Sequence, residues 1–300
     1  MSVHIRPGGP TPNVLSPARP PPYLVTTGTD RRALSLGVTA DASSAVVEMT
    51  VHGRWSEQLG NKAAATLQLC LAGPTVSIIV DLHCMGDPNG MSRAFWLAAA
   101  RAARFGPSPF QLALCVPPRT MLDYRLRHSE GHQPLLFATM PEARRATAGR
   151  LPHINRVQTR LAPQPASVPA ARELVARACH TWQLSQLRDD ATLIMSELVA
   201  NAVQHAGTDL VVTVSSGGSE LHLAVRDGDT RYPRLTAPAP EGGAVPMDEG
   251  GRGLRLVHSL AAGWGAMPAR GGKVIWATVS AATPERATGA DHGWPFRQPA

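Results

Sequence analysis

The chain has 300 residues, of which 43% are hydrophobic and 17% charged, and this length predicts two compact domains rather than one. It contains no run of about 18 consecutive apolar residues and no apolar secretory segment at the N-terminus, so we expect a cytoplasmic protein without membrane contact. The formal net charge is +7, but the arginines are scattered and no basic stripe lies beside aromatic residues, so direct nucleic-acid binding is not expected.

The first part of the chain predicts a short disordered segment followed by an α/β domain. Residues 1–30 are rich in Pro, Gly, Thr and Ser and are expected to be disordered. The segment Trp55–Leu71 has the apolar spacing of a helix, and the β-branched run Val76–Leu82 is typical of a strand buried on both faces. Further strands and helices alternate up to residue 148, which predicts a sheet with crossover helices over residues 31–148.

A second α/β domain is predicted over residues 149–282, followed by a polar tail over residues 283–300. Its segment 229–250 is rich in Pro, Gly and Ala and is too long for a plain connection. The other predicted elements are, in chain order, a strand over 155–161, a helix from Ser167, a helix over Leu187–Ala206, a hairpin of 210–215 and 221–225, a helix from Gly253 and a strand over Lys273–Val279.

The second helix of this domain contains the segment SELVANAVQHA at residues 196–206. Glu197 and Asn201 are four residues apart, so their side chains lie on one helical face. A carboxylate and an amide oxygen are hard ligands that accept a proton or hold Mg²⁺. The exposed polar face of an ordinary structural helix shows the same pair, so the pair alone does not decide.

Two further segments lie at the ends of predicted strands and helices. In VRDGD, Asp227 follows a strand and is placed to accept the exocyclic amine of adenine, while Gly228 lets the base approach the backbone. In GGRGLRLV at residues 250–257, glycines run directly into a helix, whose N–H groups and dipole favour phosphate. An ordinary Asp-Gly turn or a lone glycine cluster explains either segment taken singly.

In this order and context, the three segments resemble those of the GHKL ATPase superfamily, and most closely the anti-sigma regulatory factor type of serine/threonine kinase. The resemblance covers about Ala171 to Val279 and implies an ATP-binding α/β sandwich. It implies that Glu197 is the general base, that Asn201 is the Mg²⁺ ligand, and that residues 229–250 form a mobile lid. The implied nucleotide-binding residues are Asp227, Gly228, Gly251, Arg252, Gly253 and Leu254.

The sequence departs from this pattern at two places. Asp229 lies where the family usually has glycine, and Glu249 lies where some kinases carry an arginine suited to the γ-phosphate. Acidic groups near a triphosphate oppose its binding, and nothing in the sequence shows that Arg252 or Arg255 compensates. The sequence therefore favours nucleotide binding over phosphotransfer, and a non-catalytic, nucleotide-dependent interaction module is the alternative.

The first domain resembles the STAS fold of anti-sigma factor antagonists in the segment IIVDLHCMGDPNGMSRAFWLAAARAARFG. Antagonists typically have Asp-Ser-Ser-Gly in the loop of this segment, and the serine before the glycine is the kinase substrate. Here that position holds Asn89, which has no hydroxyl, and the nearby Ser92 is expected to cap a helix. The implied domain is therefore STAS-like and not phosphorylated in the usual way.

Together these resemblances imply an ATP-binding anti-sigma regulatory protein, a serine/threonine kinase acting on an anti-sigma factor antagonist in a partner-switching pathway that controls transcription. The implied partners are a sigma factor, a STAS-type antagonist protein or both, and the sequence allows a homodimer. The fused STAS-like domain is a candidate pseudo-substrate because of Asn89. A histidine kinase fragment is the third interpretation, but His153 lies in a linker and His180 at a helix end, not in a helical hairpin.

Overall fold

The computed structural model describes residues 22–25, 28–29, 35–41, 46–73, 75–105, 110–131, 133–148, 155–232 and 252–281. The elements up to residue 148 are β1 Tyr23–Leu24, β2 Gly28–Thr29, β3 Ser35–Asp41, β4 Val46–Arg54, α1 Glu57–Leu71, β5 Ser77–Asp81, β6 Met85–Gly86, α2 Arg93–Phe105, β7 Gln111–Cys115, α3 Met121–Arg127, β8 Leu135–Phe137 and α4 Met140–Ala148. The later elements are β9 Arg156–Leu161, α5 Ser167–Thr181, a 3₁₀ turn Ser185–Leu187, α6 Arg188–His205, β10 Leu210–Gly217, β11 Glu220–Asp227, α7 Arg252–Leu260, β12 Gly263–Ala269 and β13 Gly272–Ser280.

These elements confirm the predicted α/β class, and the predicted strands and helices are found with small shifts at their ends. Strand β12 was not predicted. It contains two glycines and Pro268, which are typical of a turn rather than of a strand interior. No helix in the described part of the chain is long and apolar enough to cross a membrane.

Ten strands follow one another in a single sheet in the order β8-β7-β5-β4-β3-β12-β13-β11-β10-β9. Adjacent strands are parallel to each other in the group β4, β5, β7 and β8. Adjacent strands are antiparallel in the group β9, β10, β11, β13 and β12. The two groups meet where β3 runs parallel to β12, with Ala40 opposite Ala269. The predicted domains therefore share one sheet, and the boundary between them stays a prediction.

Helices α5, α6 and α7 cover one face of the later strands, and elements of the first half cover the other face. The helix-covered face includes Leu223 and Val225 of β11, which belong to the core that these helices build. The opposite face contributes Ala224, Met267 and Trp276 to the core of the first half, which also contains residues of α1 and α2. All residues from Gly272 to Val279 are buried, as expected for a strand covered on both faces.

The N-terminal segment differs from its predicted disorder at residues 22–25. Strand β1 runs parallel to β12, and the Val25 N–H donates to the Ala266 carbonyl at 2.9 Å. The ring of Tyr23 stacks on Trp276 with centroids 6.0 Å apart, and Val25 is 1% exposed. Apolar contacts therefore order this short piece of a proline-rich segment. Residues 1–21, the predicted tail 283–300 and most of the predicted lid, from residue 233 to 250, lie outside the described residues.

Candidate functional site

Helix α6 presents Glu197 and Asn201 at the edge of its buried face. The neighbouring Ser196, Leu198 and Val199 are buried, whereas Glu197 and Asn201 are half-buried. The Nδ2 atom of Asn201 is buried and has no hydrogen-bond partner among the described residues. A buried amide N–H without an acceptor is unfavourable, so the geometry suits a ligand that accepts a hydrogen bond here.

Glu197 lies against the first turn of α7. A Cβ atom on Gly253 would overlap Oε2 of Glu197, so the carboxylate lies directly against this glycine. The packing of α6 on α7 thus brings together two of the segments singled out in the sequence, which are more than forty residues apart. Glycine at residue 253 is what leaves room for the carboxylate.

Asp227 ends β11 as a buried carboxylate with one oxygen left open. Its Oδ1 atom accepts the Asp229 N–H at 2.8 Å and an Nζ hydrogen of Lys273 at 2.9 Å. Its Oδ2 atom is buried and has no partner among the described residues. Because a buried carboxylate oxygen without a donor is unfavourable, the geometry fits a ligand that donates here, such as an exocyclic amine.

Lys273 is the residue of this site that sequence reasoning missed. It is the second residue of β13, directly opposite Asp227 in the sheet register, and it is 5% exposed. Its Nζ atom also donates to the Asp229 carbonyl at 3.1 Å. The signal was a lone lysine at the start of an apolar strand, in a chain where 27 of the 29 basic residues are arginine.

Near Asp227, the backbone at Gly228 and at Gly272 lies so close to neighbouring atoms that a side chain would not fit. The Gly228 N–H donates to Oγ1 of Thr208 at 2.8 Å, and a Cβ on Gly228 would press on the Thr208 side chain. A Cβ on Gly272 would overlap the Asp227 carbonyl. These contacts fix the end of β11 against β13 and hold the Asp227 carboxylate in place.

Asp229 is ionised next to this site. Two hydrogen bonds from the Arg231 guanidinium and backbone, with further help from Lys273, lower the pKa of Asp229 to about 2. The Arg231 Nε atom lies 3.1 Å from each carboxylate oxygen. The departure from glycine noted in the sequence therefore adds a negative charge whose partner is an exposed arginine.

The second glycine segment is described only from Arg252 onward. Leu254 is 4% exposed and packs into the core under α7, so only its backbone is available to a ligand. Gly251 and the side chain of Arg252 lie outside the described residues, as does Glu249. Their predicted roles toward phosphate stay predictions.

Residues 161–278 match the family model of the histidine kinase-like ATPase domain. The match contains Glu197, Asn201, Asp227 and Lys273. The later part of the chain, over residues 161–278, is therefore a histidine kinase-like ATPase domain. A domain of this kind implies ATP binding, and the open Oδ2 of Asp227 suits a ligand that carries an amine.

One solved structure that the chain matches contains the RsbU and RsbW domains of Rv1364c from Mycobacterium tuberculosis. The identity is 16%, the TM-score is 0.30, and the match covers 42% of this chain and 32% of that chain. This chain thus matches about a third of the length of that protein. No curated protein matches the chain.

The loop that the sequence predicts to be STAS-like lies in the other half of the chain, outside the ATPase domain. The Asp87 carboxylate accepts the N–H groups of Met91 and Ser92 at 2.8 and 2.9 Å and the Ser92 hydroxyl at 2.6 Å. Ser92 is fully buried just before α2, but its hydroxyl donates to Asp87, and no hydrogen bond among the described residues shows it capping the helix as the sequence predicted. Asn89 is exposed, and its side chain is therefore not held in the ATPase domain as a bound pseudo-substrate.

Proposed function

We propose that the protein is a cytoplasmic ATP-binding anti-sigma regulator with serine/threonine kinase activity toward an anti-sigma factor antagonist. The observation that supports this most is the buried, unpartnered Oδ2 of Asp227 at the end of β11. It is the group that the resemblance assigns to adenine, and the fold leaves it without a donor. The proposed result of the activity is partner switching that controls transcription.

The side chains around the site fit ATP and Mg²⁺. Asp227 and Gly228 hold the adenine, Asn201 offers an amide oxygen to Mg²⁺, and the backbone at the start of α7 holds the phosphates. The phosphate-binding residues of this proposal are Gly251, Arg252, Gly253 and Leu254. When bound, Mg²⁺ neutralises charge on the phosphate oxygens. In the described part of the chain, no cluster of three or more His, Cys, Asp and Glu side chains is placed to hold a metal ion.

Glu197 is proposed to act as the general base. Its carboxylate lies against Gly253 in the first turn of α7, which is the end of the helix that favours phosphate. From this place it accepts the proton of a serine hydroxyl on the substrate protein, a role that typically contributes 10²–10⁴-fold to a rate, by order of magnitude. The half-buried position keeps the carboxylate ordered and still reachable.

The substrate hydroxyl is proposed to come from a separate antagonist. The STAS-like half, over residues 31–148, offers no acceptor in its loop because Asn89 has no hydroxyl and Ser92 is buried and bonded to Asp87. A sigma factor is the second proposed partner. The proposal does not require a homodimer.

The second candidate function is a non-catalytic module whose protein contacts depend on bound nucleotide. The observation that favours it is Asp229, an ionised carboxylate close to Asp227, where the family usually has glycine. A negative charge there, beside the proposed adenine contact, opposes the binding of an anionic nucleotide. Under this alternative, ATP binds weakly and no phosphoryl group is transferred.

Calorimetry of ATP binding to the full chain, with and without Mg²⁺, tests the proposal. We expect Mg²⁺-dependent binding that Asn201→Ala abolishes and that the control Gln204→Ala, an exposed position on the same helix, leaves unchanged. No binding at about 1 mM ATP, which corresponds to roughly 4 kcal/mol, would overturn the nucleotide site.

Transfer of labelled phosphate from ATP to a STAS-type antagonist then separates the two candidates. We expect transfer by the native chain and a fall of about 100-fold or more in Glu197→Gln, with ATP binding retained. Nucleotide binding without any transfer would leave the non-catalytic module as the function.

A further inference from the structure

A cleft of about 390 Å³ lies between the first half of the chain and the ATPase domain. Its walls come from β3, β4, β5 and α4 on one side and from β11 and the turn between β12 and β13 on the other. This size is within the range of small-molecule sites, roughly 300–1,000 Å³. The functional site described above does not include any of its lining residues.

The charged lining of the cleft is positive. Arg144, Arg226 and Arg270 face a single carboxylate, that of Glu48. Arg144 donates to both Glu48 oxygens, at 2.5 and 2.7 Å, whereas Arg270 lies 3.7 Å from the nearer one. Glu48 is thus largely satisfied by one arginine, and the cleft retains an excess of two positive charges.

Arg226 and Arg270 are held together by the fold. Arg226 donates from one Nη atom to the Arg270 carbonyl at 2.6 Å, which keeps its guanidinium at the turn between β12 and β13. The other N–H groups of this guanidinium have no carboxylate partner among the described residues. A planar group with several donors is suited to carboxylate or phosphate oxygens.

A buried hydroxyl independently indicates a ligand. Thr147 lines the cleft, is 1% exposed, and its Oγ1 atom has no hydrogen-bond partner among the described residues. A buried hydroxyl without a hydrogen-bond partner is unfavourable. A ligand that accepts a hydrogen bond from this hydroxyl would satisfy it, and a valine of nearly the same shape offers no such bond.

The remaining wall is apolar and comes mainly from Ala40, Val46 and Ile79. We propose that this cleft binds a small organic anion, with its acidic group on Arg226, Arg270 and Thr147 and its apolar body against these side chains. The site is distinct from the nucleotide site, because Arg226 and Asp227 are adjacent on β11 and adjacent strand residues point to opposite faces of the sheet.

Binding to the full chain is tested by NMR of labelled Ile, Val and Thr methyl groups, without ATP. The probes are benzoate and phenyl phosphate, which distinguish a carboxylate from a phosphate ligand, with benzyl alcohol as the neutral control of similar shape. We expect one or both anions to shift the methyl signals of Val46, Ile79 and Thr147 saturably at millimolar concentration, and benzyl alcohol to leave them unchanged. No saturable shift with either anion up to about 10 mM, or equal shifts with benzyl alcohol, would overturn the proposal.

Two variants locate the acidic group. Arg226→Gln is expected to weaken anion binding at least tenfold, and Arg160→Gln, an exposed arginine of β9, is the control that leaves it unchanged. Thr147→Val is expected to weaken binding while keeping or raising the melting temperature, because it removes a hydroxyl without a partner. If Thr147→Val loses stability and binds as before, the hydroxyl serves the fold and the proposed ligand contact is wrong.

Discussion

Asp227 and Lys273 form an ion pair whose side chains are 1% and 6% exposed. Lys273→Met removes the cation and leaves a buried carboxylate unpaired, so we expect a loss of about 3–5 kcal/mol in the free energy of unfolding. Urea denaturation measures this loss. The double variant Lys273→Met with Asp227→Asn carries no buried charge and should recover much of the stability. Equal losses in the single and double variants would contradict the pairing.

His222 gives the fold a dependence on pH. Burial lowers the pKa of His222 to about 4, and its Nδ1 lies 3.0 Å from Oγ1 of Thr278. The unfolded histidine, with a pKa near 6.5, binds protons that the folded one does not. Stability is therefore complete above about pH 6.5 and falls by up to roughly 3 kcal/mol as the pH drops toward 4.

Denaturation at pH 7 and pH 5 measures this contribution, and His222→Gln is the matched variant. The native chain should lose more stability between the two pH values than His222→Gln, whose side chain does not titrate. Identical pH dependence in both proteins would show that His222 does not contribute.

The sequence predicted Glu197, Asn201 and Asp227 as candidate site residues because each of them belongs to a local pattern: a helical spacing of four or the end of a strand. Lys273 and Thr208 reach Asp227 and Gly228 across 46 and 20 residues of chain. Such contacts depend on strand register and on a turn, which no local spacing encodes. The site was therefore predictable where its residues are neighbours in one element, and not where the tertiary fold brings them together.

The contact between α6 and α7 is sensitive to one methyl group. In Gly253→Ala the new Cβ overlaps Oε2 of Glu197, the end of a flexible side chain, so the carboxylate must move while the helices stay in place. Because alanine favours a helix by about 0.8–1.0 kcal/mol over glycine, we expect unchanged or higher stability. We also expect phosphate transfer to fall by at least tenfold. A melting curve and the transfer assay measure the two effects, and unchanged transfer would contradict the role given to Glu197.

The pairing of β1 with β12 depends on a glycine. In Gly265→Ala the Cβ overlaps the Tyr23 carbonyl, so we expect β1 to detach. Limited digestion with chymotrypsin, followed by mass spectrometry, should then show faster cleavage at Tyr23 and Leu24. Gly263→Ala is the control, because its Cβ meets the Tyr23 ring only at an ordinary 3.6 Å. Equal cleavage of both variants would argue against this pairing.

Strand β1 also shows why composition misleads over short segments. The segment 1–30 has the composition of a disordered chain, yet Tyr23 and Val25 find Trp276 and β12 as partners. Two or three apolar residues are enough when a buried strand offers them an open edge. That edge was not predicted either, because two glycines and Pro268 make the sequence of β12 look like a turn.

The two halves of the molecule depend on each other through the face of the ATPase domain that the first half covers. Removing residues 1–148 exposes Met267 and Trp276, which are 3% and 0% exposed in the full chain. At about 1.5–3 kcal/mol for each large side chain, the truncated domain should lose at least about 3 kcal/mol and bind a hydrophobic dye. Removing only residues 1–21 keeps β1 and is the control. A truncated domain as stable as the full chain would show that the halves are independent.

The alternation of strands and helices was enough to predict the α/β class and to separate two groups of elements, but not their shared sheet. The junction consists of a parallel pairing of β3 with β12, in which Ala40 lies opposite Ala269. Alanine is common in many short apolar segments, so neither residue indicates in the sequence that these two strands pair. The cleft with Arg226 and Thr147 follows from the junction and was equally beyond the sequence.

The sheet with ten strands side by side has two outer edges. Unpaired strand edges are templates for aggregation, so these edges need protection. The two outer strands of this order are β8 and β9. Strand β8 has only three residues, and β9 carries Arg156 and Arg160. A short edge and a charged edge are both known protections against such growth. At high concentration the protein is therefore expected to resist fibre formation.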